Sequence, residues 1–276
     1  MTTTTPSAQT GAKTTYALRD SMTMLRRSLK RARRYPSMTI TLVAMPIVML
    51  LLFVYVFGGA LGAGIELPGG GVGDRASYTN FVVPGILLMA VTSSAIATAI
   101  SVCSDMTEGI INRFRTMSIS RSSVLTGHVF GNVVQTLIGL VLVLGVAFVV
   151  GFRPNATPVE WLAALGILTF LGFALSWLSA AMGLGAGSVE AASNAPMPLT
   201  LLPFLGSAIV PPESMPTGLR WFAEYQPFTP IIDTLRGLLL GTEIGNSGAI
   251  ALAWVTGLSL LGYLWARSSF NREAKR

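Results

Sequence analysis

The chain has 276 residues, of which 51% are hydrophobic and only 11% carry a charge at neutral pH. A soluble domain usually carries about 25% charged residues, so this composition favours a protein embedded in a membrane. One cysteine and one histidine exclude an intrachain disulfide and argue against a Cys/His metal site, while the meaning of the net charge of +7 depends on where the basic residues lie.

The first 36 residues divide into a polar tail and a basic amphipathic helix. Residues 1–15 are polar and rich in Thr, which predicts a disordered cytoplasmic tail. Between Leu18 and Ala32, apolar side chains recur every three or four residues, and the Arg and Lys side chains fall off that stripe. We therefore predict a helix at 16–36 that lies on the membrane surface and ends at Pro36. The alternative is a basic patch that only sets the orientation of the first span.

Six apolar segments predict six transmembrane helices. They comprise residues 40–64, 81–103, 124–151, 161–185, 191–210 and 248–266. Most of them reach the length of about 20 residues that the hydrocarbon core requires. The fifth is interrupted by Pro196, Pro198 and Pro203, so we expect it to be buried among other helices or to line a cavity. No internal repeat is present, and the sequence predicts one all-α membrane domain at 16–276.

The basic residues orient this bundle. If both termini are cytoplasmic, 15 of the 19 Lys and Arg residues lie on the cytoplasmic side. The four remaining basic residues are Arg75, Arg153, Arg220 and Arg236. Because cytoplasmic loops carry an excess of positive charge, we predict a multi-pass protein of a bacterial plasma membrane with both termini in the cytoplasm.

A charged loop, residues 104–123, follows the second span. Asp105 can cap a short helix and Glu108 lies three residues later, which is the spacing of a capping box. We therefore predict a helix at about 105–117, held below the membrane. Its apolar face, which includes Phe114, suits docking into a groove on a soluble partner. The alternative is an amphipathic helix that only rests on the lipid.

Residues 211–245 predict a helical hairpin on the outer side. Its helix boundaries are predicted from two prolines that suit helix starts and a glycine that suits a helix end, namely Pro216, Pro227 and Gly241. Its aromatic residues are of the kind found at membrane interfaces and include Trp221, Phe222, Tyr225 and Phe228. We predict that the hairpin re-enters the outer leaflet and that Asp233 and Arg236, one helical turn apart, can pair. An ordinary extracellular hairpin is the alternative.

Ser94, Thr98 and Ser101 recur at helical spacing in the second span and form a small, mildly polar face. Small residues of this kind usually mark helix–helix packing. The other interpretation is that this face lines a substrate path.

The sequence lacks the motifs of common catalytic sites. An ATPase needs a glycine-rich phosphate loop with a lysine, but Lys13, Lys30 and Lys275 are the only lysines and none follows such a loop. The glycine-rich run at 69–73 lacks that lysine and predicts a connector. His128 is the single histidine, for which we expect a structural role.

Three of these features together resemble the membrane subunit of ABC-2 type exporters, in particular the daunorubicin-resistance-like permeases. They are the basic surface helix, the loop from Glu108 and Gly109 to Arg121, and the outer hairpin with its run from Asp233 to Gly241. The resemblance covers nearly the whole chain. Ser118 stands where that family often has a proline.

The resemblance implies a pair of permeases, identical or homologous, docked onto two copies of an ABC ATP-binding subunit. Those subunits would bind ATP and magnesium, and this chain would bind no cofactor. The coupling contacts would come from Asp105, Glu108, Gly109, Arg113, Phe114, Met117 and Arg121. The outer gate would include Trp221, Phe228, Asp233 and Arg236.

We therefore predict a non-enzymatic transmembrane subunit of an ATP-driven exporter, surrounded by membrane lipid and without a nucleic-acid partner. Its substrates would be amphipathic or hydrophobic, because no charged residue lies at the middle of a firm span to recognise an ionic solute. Two alternatives stay open. A lipid-modifying enzyme would use the acidic residues Glu213, Glu224 and Asp233 of the hairpin. The other alternative is a membrane scaffold that transports nothing.

Overall fold

Helices form the regular structure of the residues that the computed structural model describes, which are 36–60, 74–107 and 121–273. The long helices are α1 (Pro36–Leu51, continued by a π-helical segment at Leu52–Phe57), α2 (Arg75–Thr107), α3 (Arg121–Val150), α4 (Pro158–Gly185) and α9 (Ser247–Glu273). The short helices are α5 (Val189–Asn194), α6 (Met197–Leu201), α7 (Thr217–Tyr225) and α8 (Phe228–Leu240). Two 3-10 turns lie at Leu202–Leu205 and Pro212–Ser214.

Five of the described helices, α1 to α4 and α9, are long and apolar enough to cross a membrane. Large apolar side chains also stand on their outward faces, such as Val149, which is 86% exposed, and Leu264, which is 60% exposed. Such faces suit a lipid surrounding better than water. The prediction of an all-helical, multi-pass membrane protein is confirmed. The predicted tail at 1–15 and nearly all of the predicted surface helix at 16–36 lie outside the described residues.

The predicted fifth span, 191–210, is not a single long helix. It consists of the end of α5, then α6, the 3-10 turn at Leu202–Leu205 and a non-helical stretch. Pro196, Pro198 and Pro203 each lack a backbone N–H and clash with the preceding turn, so a continuous helix cannot pass through them at normal stability. The interruption at the prolines is confirmed. The expected burial among other helices is not found at α6, where Met197 is 53% and Leu201 is 50% exposed. A role in lining a cavity and the count of six spans stay predictions.

Local signals in the sequence set the helix ends. Thr157 and Glu160 form a reciprocal capping box at the start of α4, in which the backbone N–H of Thr157 donates to Glu160 Oε2 at 2.6 Å. At the start of α2, the backbone N–H of Ser77 donates to Asp74 Oδ1 at 2.7 Å, and this bond lowers the pKa of Asp74. Helix α8 ends at Gly241, whose φ of 76° is a left-handed conformation that favours glycine.

Close packing of α2 against α4, and of α4 against α9, forms the centre of the bundle. A Cβ built on Gly183 of α4 would lie 2.5 Å from the backbone oxygen of Ala99 in α2. One built on Gly262 of α9 would lie 2.7 Å from the backbone nitrogen of Leu178 in α4. Small residues thus allow three long helices to approach one another at their backbones, as in other membrane bundles.

Candidate functional site

The small polar face predicted in the second span points into the bundle. Ser94 is buried, and its Oγ accepts a hydrogen bond from Thr136 Oγ1 of α3 at 2.8 Å. Asn132, one turn earlier on α3, donates from Nδ2 to Ser176 Oγ of α4 at 2.8 Å. These hydrogen bonds join α2, α3 and α4 in apolar surroundings, where an unsatisfied polar group would be costly.

Thr98 and Ser101 continue this face along α2. Thr98 is 2% exposed, and its Oγ1 has no hydrogen-bond partner among the described residues. Ser101 Oγ lies 3.3 Å from His128 Nδ1 of α3. The contacts of Ser94 and Ser101 are those of helix–helix packing, which was one of the two interpretations. A part for these three residues in a substrate path stays a prediction.

A small cavity borders Ser94 between α1, α2 and α3, with a volume of about 20 Å³. Its lining residues are Val43, Ala90, Ser94, Gln135, Thr136, Gly139 and Val143. This volume suits about one water molecule, whereas sites for drug-sized ligands measure roughly 300–1,000 Å³. The cavity is therefore too small for the amphipathic substrates that the sequence predicts.

His128 and Asp105 form a side-chain hydrogen bond that was not predicted. His128 Nε2 lies 2.9 Å from Asp105 Oδ2, and the two side chains are 11% and 2% exposed. Helix α2 continues to Thr107, so the prediction that Asp105 caps the next helix was wrong. Its carboxylate is directed into the bundle, where Asp105 is 2% exposed and contacts His128 of α3.

Five of the predicted coupling residues lie outside the described residues: Glu108, Gly109, Arg113, Phe114 and Met117. Arg121 is the first residue of α3. The coupling roles of all seven residues stay predictions. The described part of the chain shows only that α2 and α3 are the two helices that this segment connects.

The outer hairpin consists of α7 and α8, and it exposes one predicted gate aromatic and buries the other. Trp221 is 64% exposed and packs against Tyr225 with ring centroids 5.3 Å apart. Phe228, at the start of α8, is 1% exposed and belongs to the main apolar core. The hairpin thus has a surface helix with an aromatic face and a second helix packed into the bundle.

Asp233 and Arg236 of α8 form the predicted pair, with Nη1 of Arg236 donating to Asp233 Oδ1 at 3.1 Å. Arg236 also donates from Nε to the backbone oxygen of Phe81 at 3.2 Å and from Nη2 to the backbone oxygen of Ser207. Its guanidinium carbon lies 3.7 Å from the ring centroid of Phe81, which is a cation–π contact. Ser207 Oγ in turn donates to Asp233 Oδ1 at 3.0 Å.

This arginine cluster, which we define as Phe81, Ser207, Asp233 and Arg236, joins three elements: α2, the interrupted segment and α8. The side chain of Arg236 is 6% exposed, whereas that of Asp233 is 39% exposed. The positive partner is therefore enclosed by protein and the negative partner still reaches the surface. Such an arrangement fixes the position of α8 against α2, because the guanidinium can satisfy all three acceptors in one orientation only.

Sequence reasoning missed the partners on α3 and α4. Asn132, Thr136 and Ser176 lie inside segments that were read as apolar spans, and a polar residue in such a segment is a signal in itself. The helical spacing of Asn132 and Thr136, four residues apart, would have placed both on one face of α3. Their pairing with Ser94 required the packing of the helices, which the sequence did not provide.

These features define a class: a polytopic α-helical membrane protein with buried polar contacts between spans and a hairpin of two short helices. The family model for the ABC-2 type transporter matches residues 20–240. This match covers most of the chain, and the chain belongs to the ABC-2 type transporter family. The family membership that the resemblance predicted is confirmed.

Three relatives illustrate the range of the similarity. The daunorubicin resistance ABC transporter permease protein DrrB1 of Streptomyces coeruleorubidus is 29% identical over 228 residues, which cover 82% of this chain and 77% of the relative. A probable doxorubicin resistance ABC transporter permease protein, DrrC of Mycobacterium tuberculosis, is 23% identical over 188 residues, which cover 68% of this chain and 67% of the relative. ABC transporter G family member 20 of Dictyostelium discoideum is 22% identical over 202 residues, which cover 69% of this chain and 27% of the relative.

Proposed function

We propose that this chain is the transmembrane subunit of an ATP-driven ABC exporter that moves amphipathic or hydrophobic compounds out of the cell. Candidate substrates are a drug, a natural product or a lipid-linked compound. The observation that carries the proposal is the ABC-2 match over residues 20–240 of a chain with five helices suited to span a membrane. The two permeases named for daunorubicin and doxorubicin resistance support the drug class.

A separate ABC ATP-binding subunit supplies the energy in this proposal. The chain has no phosphate loop with a lysine, so ATP and magnesium are bound by the partner and not by this chain. Two copies of that subunit act with two permeases, of which the second is identical or homologous. The segment from Glu108 to Met117 docks on the ATP-binding subunit, with Phe114 as its aromatic anchor.

The substrate path lies between the two permeases. The cavity beside Ser94 holds about 20 Å³, which is far too small for a drug-sized compound. A path that runs along the surface of one permease and is closed by the second permease has no such limit on size. The exposed apolar faces of the spans support it, because such a path accepts hydrophobic molecules without a charged recognition site.

The protein resides in a bacterial plasma membrane, with six spans and both termini in the cytoplasm. The bias of 15 among 19 basic residues supports this orientation. Single-cysteine labelling tests it after Cys103 is replaced. An impermeant thiol reagent added outside should label Gly70→Cys and should label neither Thr10→Cys nor Arg272→Cys. External labelling of either terminal variant contradicts the topology.

The decisive experiment is reconstitution with the ATP-binding subunit. The wild-type pair should show ATP-dependent efflux, and the purified chain alone should hydrolyse no ATP. Phe114→Ala should weaken association by roughly 30-fold, because loss of a buried aromatic anchor can amount to about 2 kcal/mol at an interface. Glu108→Lys should weaken it in the same direction, since a negative charge is favoured near a helix N-terminus.

Phe130→Ala is the matched control, because Phe130 is a 47% exposed aromatic residue on α3 outside the docking segment. It should bind the ATP-binding subunit and transport as the wild type does. If both docking variants bind and transport normally, the segment is only a surface helix. Failure of the wild type to bind any ATP-binding subunit favours the scaffold or the lipid-modifying enzyme.

A further inference from the structure

A hydrogen-bonded chain of three side chains, Ser101, His128 and Asp105, joins the C-terminal end of α2 to the N-terminal end of α3. Asp105 is buried, and the other two are partly buried. Ser101 Oγ lies 3.3 Å from Nδ1 of His128, and Nε2 of His128 lies 2.9 Å from Asp105 Oδ2. We propose that this chain, here called the histidine clamp, makes α2 and α3 move as one unit when the ATP-binding subunit acts on the segment between them. The inference rests on the proposed function and names the positioning residue, His128.

The histidine clamp lies close to the two helix ends that the predicted coupling segment connects. Asp105 lies two residues before the end of α2, and His128 lies seven residues after the start of α3. At 1.5 Å per residue, both are within about 10 Å of the ends that the predicted coupling segment connects. A displacement of that segment therefore reaches α2 and α3 at the level of the clamp before it reaches the rest of either helix.

Burial of Asp105 makes its contact with His128 costly to lose. The carboxylate of Asp105 is 2% exposed, and the neighbouring apolar cluster includes Val102, Leu125 and Val129. A hydrogen bond to a carboxylate in such surroundings is costly to lose, because little water can reach Asp105 to replace the imidazole as a donor. The helices can separate at this level only by losing that contact, and a joint movement keeps it.

The imidazole of His128 can bond to Asp105 and Ser101 at the same time, one through each ring nitrogen. A neutral imidazole donates from Nε2 to Asp105 and accepts at Nδ1 from the Ser101 hydroxyl, as assigned from the hydrogen-bond geometry. A protonated imidazole donates from both nitrogens, and the Ser101 hydroxyl accepts instead. Both protonation states satisfy the three groups. The clamp therefore persists in either state, as a mechanical link requires.

Two variants of His128 separate the two contacts. His128→Gln places an amide nitrogen near the position of Nε2 and can still donate to Asp105. His128→Asn is shorter and reaches only the Ser101 side. In the reconstituted complex we expect His128→Asn to lower the number of substrate molecules transported per ATP hydrolysed by roughly two- to thirtyfold, the range found for residues that carry coupling. We expect His128→Gln to keep most of that ratio.

Association with the ATP-binding subunit and thermal stability are measured on the same samples. A purely structural role would lower stability and association together and leave the transport-to-ATP ratio unchanged. Loss of the ratio in His128→Asn, with association changed by less than about threefold, supports the clamp. A wild-type ratio in His128→Asn overturns it, provided that the wild-type complex itself shows ATP-dependent transport. If it shows none, the proposed function fails instead.

A cross-link decides the matter even if His128→Asn does not fold. With Cys103 replaced, Asp105→Cys/His128→Cys can be joined by a short, reducible bifunctional thiol reagent. The unlinked variant should couple poorly, the linked one should recover transport, and reduction should remove the gain. Failure of the link to restore transport overturns the proposal, because joint movement of α2 and α3 would then not be sufficient for coupling.

Discussion

The contact between Asp233 and Arg236 provides the sharpest test of how the outer hairpin is attached. We consider Arg236→Met, which keeps most of the side-chain volume, together with Asp233→Ala and the double variant. Arg236→Met removes the bond to Asp233 and the two bonds to the backbone oxygens of Phe81 and Ser207. It also removes the cation–π contact with Phe81.

The expected loss of stability in Arg236→Met follows from the burial of the Arg236 side chain. Removing one partner of a buried ion pair destabilises a protein by about 3–5 kcal/mol, mainly because the other charge is left unpaired. Here the side chain of Asp233 is 39% exposed, so water can partly replace the guanidinium and the low end of that range applies. We therefore expect Arg236→Met to lower the free energy of unfolding by roughly 3 kcal/mol. The pairwise coupling in the double-mutant cycle should be about 1.5–3 kcal/mol, the value for hydrogen bonds to charged groups.

Unfolding of the purified permease in lipid nanodiscs measures these energies. The same hairpin offers a matched control, because Arg220 Nε lies 2.7 Å from Glu224 Oε1 while both side chains remain 46% and 40% exposed. Arg220→Met with Glu224→Ala should show coupling near zero, since water competes for both groups. Equal coupling in the two cycles would refute the reasoning and favour a hairpin that is solvated throughout.

Two further predictions concern the packing and the ends of the spans. Gly183→Ala should destabilise the bundle by roughly 1–3 kcal/mol, because the added methyl meets the backbone of Ala99 and not a side chain that can move. Gly257→Ala should show no loss in the same thermal unfolding assay, because a Cβ built there meets no atom of another part of the described chain within 4 Å. Thr157→Ala should lower stability by about 1 kcal/mol, because it breaks the capping box at the start of α4, and Thr157→Ser should restore it; equal melting temperatures for all three sequences at position 157 would contradict this role.

The sequence predicted those features that depend on local composition. Uninterrupted apolar segments of sufficient length identified α1 to α4 and α9 to within a few residues at most ends. The hairpin boundaries at Pro216, Pro227 and Gly241 were also correct, because proline and glycine act on the backbone of their own turn. The spacing of Asp233 and Arg236 predicted their pairing for the same reason.

Features that depend on the packing of the helices could not be predicted from the sequence. The acidic side chain of Asp105 has the spacing of a helix cap, but α2 continues past it and the packed α3 provides His128 as its partner instead. Likewise, Arg236 could be paired with Asp233 from spacing alone. Its bonds to the backbone of Phe81, 155 residues away, and of Ser207 have no signature in side-chain type.

Helix α2 takes part in polar contacts at three levels. The backbone oxygen of Phe81 meets Arg236, Ser94 meets Thr136, and Asp105 meets His128. The first and last are 24 residues apart in one helix, or about 36 Å along its axis. Sliding α2 by one turn, about 5.4 Å, would break all three contacts, and rotating it would turn the side chains of Ser94 and Asp105 away from α3. Since lost hydrogen bonds are expensive in apolar surroundings, rigid-body motion of α2 together with α3 is the movement that these contacts favour.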